Sequence, residues 1–266
     1  MAKESTPKTV LTVLLLALVC STLVAGTAVG LRDRQEANQR LDEMKNILVA
    51  ADLYQSGADI EALFATVETR IVRLEDGSFV PPEELAPAEF NQLKAALDPE
   101  LGRKLPADQD LAGLGRRENY SLVYLVRENG ELAKVVLPIR GRGVWSMMFG
   151  YVALDRDLNT VAGATFYRHG ETPGLGGEIE NPRWLAGWQD KKIYDEEGQP
   201  ALRVIKGEAP AGEEGRHRID GISAATRTLD GVSDLLQFWF GDHGFKPFLE
   251  RHRDGIMEEG GSDHGR

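Results

Sequence analysis

Residues 120–139, YSLVYLVRENGELAKVVLPI, hold two β-rich runs separated by Asn129-Gly130. Asn-Gly accepts positive φ at both central positions of a two-residue turn, whose twist matches the flanking strands, so the stretch predicts a β-hairpin. A second pair follows, MMFGYVALD at 147–155 and TVAGATFYR at 160–168, joined by residues 156–159. Both runs are apolar enough to bury at least one face. ALRVIKG at 201–207 reads as a further strand. From about Thr228 the period changes. Val232, Leu235, Leu236, Trp239 and Phe240 fall at i, i+3, i+4, i+7 and i+8, the apolar stripe of a helix ended by Gly241 or Gly244. A last short helix is expected over 245–253, followed by a disordered tail over 256–266. Strands followed by helices predict an α+β domain, with an antiparallel or mixed sheet and flanking helices.

Upstream, residues 35–70 read as helix. Leu41, Met44, Ile47 and Leu48 have helical spacing, and Ile60, Leu63 and Phe64 begin a second stripe. Pro81-Pro82 breaks the chain, a short helix is expected over 87–97, and residues 106–115 form a loop. Residues 10–31, VLTVLLLALVCSTLVAGTAVGL, carry no charge. About 20 such residues cross a bilayer as a helix. The rival reading is a cleaved signal peptide, whose apolar core runs only ~7–15 residues, so a retained anchor is expected. Lys3 and Lys8 before the span and Arg32 and Arg34 after it barely discriminate orientation. The simplest topology is N-terminus in, domain out.

Composition narrows the chemistry. The formal net charge of −11 over 266 residues, with no basic stripe, argues against a nucleic-acid partner. The single cysteine, Cys20, lies in the apolar run and excludes an internal disulfide, a cysteine-rich zinc site or an iron–sulfur cluster. His169, His217, His243, His252 and His264 show no ligand-pair spacing, so no metal site is expected. A redox role would therefore point to a flavin, a haem or a metal held by histidine and carboxylate.

Three segments carry chemistry. In residues 220–226, DGISAAT, small side chains surround the Thr226 hydroxyl at the start of the amphipathic helix. Unpaired N–H groups and the positive end of the helix dipole make such a place a phosphate seat. Ser223 and Thr228 add hydroxyl donors; the plain alternative is that Thr226 or Thr228 is simply the helix N-cap. In residues 167–178, YRHGETPGLGGE, Pro173 and the glycines, Gly174 among them, let the backbone approach a flat ligand; Glu171 and Thr172 offer polar contacts and Leu175 an apolar one. In residues 141–150, GRGVWSMMFG, Trp145 either stacks on such a ligand or fills the core.

Together the three segments resemble the NqrC family, the C subunits of the sodium-pumping NADH:quinone oxidoreductase, which are relatives of the G subunit of the Rnf complex. Members of that family have Asp-x-x-Ser/Thr-Gly-Ala-Thr, with the last threonine esterified to the phosphate of FMN. The motif here ends on Thr226, and Ala224 stands where the family has glycine; a backbone with φ > 0 at that position would be strained. The HGETPGLGGE run, Asn181-Pro182-Arg183-Trp184 and GRGVWSMMFGYVAL look like NqrC rather than its Rnf relative. The resemblance implies a covalent FMN on Thr226, with Asp220, Ser223 and Ala225 in the attachment motif. It sets Trp145, Glu171, Thr172, Gly174 and Leu175 near the isoalloxazine. It further implies a flavin transferase for maturation, and electron transfer between an iron–sulfur centre and another flavin among the subunits of a six-subunit reductase. The expected location is the bacterial inner membrane, single-pass, with the domain periplasmic. The implied organisation is a cytoplasmic 1–9, a transmembrane 10–31, a helical and loop region 32–118, an FMN-binding domain 119–255 and the tail. The alternatives are a G-type subunit of the Rnf complex and, from another class, a cofactor-free anchored binding or assembly protein.

Overall fold

A computed structural model describes residues 6–253. The expected tail, 256–266, lies outside the described residues. The elements in chain order begin with α1 (Thr6–Ala50), α2 (Ile60–Phe64), β1 (Val67–Arg73), β2 (Phe79–Val80) and α3 (Gln92–Leu97). Then come β3 (Gly102–Lys104), β4 (Arg116–Glu118), β5 (Tyr120–Glu128), β6 (Glu131–Arg142), β7 (Met147–Asp155) and β8 (Val161–Arg168). The last are α4 (Pro182–Ala186), β9 (Arg203–Val204), β10 (Arg218–Ile219), α5 (Thr226–Trp239) and α6 (Lys246–His252).

The described residues divide into two units, one ending at Glu43 and the other beginning at Met44. The first consists of the greater part of α1. Its apolar window has a mean hydropathy of 2.4 and is wholly unburied, so by length and composition it can cross a membrane.

The second unit is built on a six-stranded antiparallel sheet in the order β2-β1-β5-β6-β7-β8. The hairpin at Asn129-Gly130 is present, with φ of 54° and 86° at those two residues. Strand alternation sends side chains to two cores. On one face Val123, Leu125, Val135, Leu137, Val152 and Leu154 join a large cluster completed by Val232, Leu235, Leu236 and Trp239 of α5 and Phe248 and Leu249 of α6. On the other face Tyr124, Val136, Tyr151 and Ala153 pack with Ile47, Leu48 and Ala50 at the end of α1. Each fully buried aliphatic side chain contributes roughly 1.5–3 kcal/mol.

Four expectations are corrected. Residues 67–70 belong to β1, not to a helix, because Val67, Thr69, Ile71 and Val72 are β-branched and pair with β5. The region 32–118 is thus not merely helix and loop; it supplies β1 and β2 to the main sheet. The helix expected over 87–97 begins only at Gln92, where the Asn91 side chain accepts from the Lys94 N–H as N-cap. The strand at 201–207 shrinks to two residues, paired in parallel with β10.

A buried polar network ties α3, the sheet and α5 together. The Arg140 guanidinium donates to both Glu118 carboxylate oxygens, at 2.8 and 2.5 Å. Gln92 Nε2 donates to Glu118 Oε1 at 3.1 Å, Arg140 lies 5.1 Å from the Trp239 ring centre, and Trp239 Nε1 donates to the Arg140 carbonyl at 2.6 Å. Beside it Arg117, also buried, donates to the carbonyls of Glu118 and His243. Burial pushes its guanidinium down to about 10.

The β7–β8 turn offers a pH test. Burial alone would raise the Asp157 carboxyl, but the hydroxyl and N–H of Thr160, the Lys192 ammonium and the Asn159 N–H outweigh it and hold it down to about 2. The folded value lies below the ordinary 3.8, so the stabilisation is complete above about pH 4 and is lost as pH falls through 2. Solvent screening at this half-exposed side chain limits it to about 1 kcal/mol. Asp157→Asn is expected to lower stability at pH 6 by that amount and by clearly less at pH 2, measured by urea unfolding; equal losses at both pH values would refute the assignment.

Candidate functional site

The helix that begins at the end of DGISAAT starts two residues earlier than its periodicity suggests. Thr226 is its first residue, and Ala225, with φ −115° and ψ 19°, is the N-cap. The N-cap is Ala225, not Thr226 or Thr228, and it makes no side-chain cap bond, so among the described residues no side chain caps the first turn. The terminus therefore keeps uncapped N–H groups beside an exposed Thr226 hydroxyl. Ala224 has φ +59°, the left-handed region that favours glycine. An alanine there costs about 1 kcal/mol relative to glycine. Ala224→Gly is expected to raise the melting temperature by about 1–3 °C; an unchanged or lower value would show that no strain is stored.

Thr226 and Ser223 line a cavity of about 380 Å³ whose opposite wall is the stretch Val204–Gly207. Sequence reading misses that wall, because ALRVIKG reads as a strand and nothing more; its Lys-Gly ending is the available signal. Asp220 is exposed, yet engaged: its Oδ1 accepts from the Ala209 N–H at 2.7 Å, and its carbonyl accepts from Trp184 Nε1 at 2.7 Å.

Glu171 joins the three segments. It is 5% exposed. Its Oε2 accepts from the Thr228 hydroxyl at 2.6 Å, its Oε1 accepts from the Trp145 N–H at 3.1 Å, and its own N–H donates to His169 Nδ1 at 3.2 Å. A Cβ at Gly176 would strike the Thr228 hydroxyl, so glycine is needed for the close approach. The Thr228 hydroxyl, expected to serve a phosphate, is thus spent on Glu171 instead. Glu171 in turn is a buried brace, fixing the Trp145 loop to the first turn of α5, rather than an exposed polar contact.

Around the brace the surface is apolar and open. Trp145 is 73% exposed and therefore does not fill the core. Val144 and Leu175 are exposed too. Thr172 is exposed at the mouth of a turn, its carbonyl accepting from the N–H groups of Leu175 and Gly177, and Gly174 there has φ +74°. An exposed indole and two exposed aliphatic side chains can offer apolar contact to an aromatic ring. An uncapped helix start and a hydroxyl, braced to that surface through one carboxylate, can hold the phosphate end of the same molecule. The residues present thus fit a flavin mononucleotide.

An FMN-binding domain family matches residues 143–241, a span that runs from the Trp145 loop through α5. The C subunit of the Na(+)-translocating NADH-quinone reductase of Yersinia pestis is 46% identical over 262 residues, 97% of each chain. That of Pseudomonas aeruginosa is 45% identical over 258 residues, 95% of this chain and 98% of its own. Among solved structures, the crystal structure of Shewanella oneidensis NqrC superposes with a TM-score of 0.74 at 35% identity, covering 80% of this chain and 98% of that one. The C subunit of the Na(+)-translocating NADH-quinone reductase of Parabacteroides distasonis gives 0.65 at 28% identity, covering 82% and 96%. With near-complete coverage at this level of identity, the chain belongs to the NqrC family, the C subunits of the Na(+)-translocating NADH-quinone reductase.

Proposed function

We propose that this chain carries FMN as a phosphoester on Thr226 and relays electrons between neighbouring redox centres of the reductase. As a family member it is one subunit of a membrane-bound oxidoreductase complex and has an FMN-binding domain. The observation that carries the finer reading is the exposed Thr226 hydroxyl at the uncapped start of α5, braced through Thr228 and Glu171 to an exposed Trp145. Flavin supplies the one- and two-electron chemistry.

The chain's residues bind and orient. In maturation, the Thr226 Oγ would bond to the phosphorus on the FMN side of FAD, the P–O–P bridge would break, AMP would leave, and the hydroxyl proton would pass to a base of the transferase. Asp220 and Ser223 shape the loop that presents the hydroxyl, and Ala225 packs beneath it. Trp145, Leu175, Thr172 and Gly174 would border the ring. With the N-terminus in the cytoplasm and the domain outside, a free cofactor would dissociate into a flavin-poor solution; a tether keeps its local concentration high. It also permits the open ring seat that transfer to a neighbouring flavin, from an iron–sulfur centre, requires.

The test is mass spectrometry of the peptide containing Thr226, from the full chain produced together with its flavin transferase. A mass increase of FMN less one water, localised to Thr226, is expected; an unmodified peptide from fully processed material would overturn the reading.

A further inference from the structure

We propose that Lys206 supplies the positive charge of the phosphate seat at Thr226 and is held there by a clamp formed by Asp220 and Gly221. This rests on the reading that Thr226 carries FMN. Among the described residues lining the Thr226 cavity, Lys206 alone is basic, and Asp230 alone is acidic. The chain as a whole is strongly negative, at −11. The pyrophosphate of an incoming FAD therefore meets repulsion from Asp230 and from the wider field.

The seat's other resources are limited. The helix start offers uncapped N–H groups, but a dipole at an exposed terminus is a weak source of positive potential. The Thr228 hydroxyl is committed to Glu171. A mobile ammonium on a four-carbon stem is suited to following a phosphorus centre as its bonds change.

The backbone around Lys206 is anchored on both sides. The Gly221 N–H donates to the Gly207 carbonyl at 2.7 Å, and a Cβ at Gly221 would collide with the Ile205 carbonyl, so residue 221 must be glycine for the two loops to meet. Asp220 Oδ1 takes the Ala209 N–H two residues further on, and Trp184 Nε1 fixes the Asp220 carbonyl. Asp220 thus acts as a positioning residue: it holds the Lys206 loop against the loop that leads to Thr226.

The experiment uses the full chain purified without flavin, then incubated with purified transferase, FAD and Mg²⁺, with labelling followed by in-gel fluorescence. Lys206→Gln is expected to slow labelling about 10-fold and to flatten its salt dependence, and Lys206→Arg to restore both. On the labelled chain, the ³¹P resonance of the phosphodiester should move in Lys206→Gln and return in Lys206→Arg, a response that mere recognition of Lys206 by the transferase would not produce. Wild-type labelling kinetics in Lys206→Gln, or an unmoved ³¹P resonance, overturns the proposal. If the wild-type chain takes no label at Thr226, the reading of that residue fails first and this inference with it.

Discussion

Thr226→Val is expected to reduce covalent flavin fluorescence on denaturing gels to background while the protein stays folded. Valine has the shape of threonine and lacks only the nucleophilic oxygen. Thr226 is exposed and its side chain caps nothing, so the substitution should shift stability by less than about 1 kcal/mol. Thr226→Ser keeps the hydroxyl and should keep the label. The neighbouring hydroxyls cannot quietly substitute: Thr228 is 3% exposed and bonded to Glu171, and Ser223 would betray itself as a shifted peptide mass. A fluorescent valine variant with the flavin still inside residues 220–228 would end the assignment to Thr226.

The second large effect is on stability. Glu118→Ala should destabilise the second unit by about 3–5 kcal/mol, a fall of roughly 10 °C in melting temperature. The Glu118 side chain is wholly buried, and it accepts from Arg140 through both oxygens and from Gln92. Removing it leaves the Arg140 charge buried beside Arg117, another buried guanidinium. The paired replacement Glu118→Leu with Arg140→Met removes both charges and should cost distinctly less than the single change. Thermal unfolding followed by circular dichroism decides between them. A loss below about 1 kcal/mol for Glu118→Ala would mean that water reaches Arg140.

The two predictions differ in how visible their residues are in the chain alone. The hairpin at Asn129-Gly130, strands β7 and β8 and the apolar stripe of α5 are legible because each rests on a local period or turn rule. Thr226 and Trp145 stand out through motif resemblance, not through their own chemistry. What stays hidden is long-range. Val67–Arg73 follows a helical stretch, and its β-branched residues settle as a strand by pairing with β5. Glu118 and Arg140 are 22 residues apart and read singly as surface charges. Glu171 resembles a ligand contact because nothing local announces that Thr228, 57 residues on, will claim its second oxygen. The wall carrying Lys206 is missed for the same reason: two short parallel strands, β9 and β10, bring it to the helix start, and pairs that brief leave no pattern in the chain.

The uneven burial of the indoles has an optical consequence. Trp188 and Trp239 are sealed, Trp184 is half-covered and lends its N–H to Asp220, and Trp145 stands almost bare. Emission accessible to a water-soluble quencher therefore comes chiefly from Trp145, so the molecule carries a built-in lamp at the spot where an isoalloxazine would dim it.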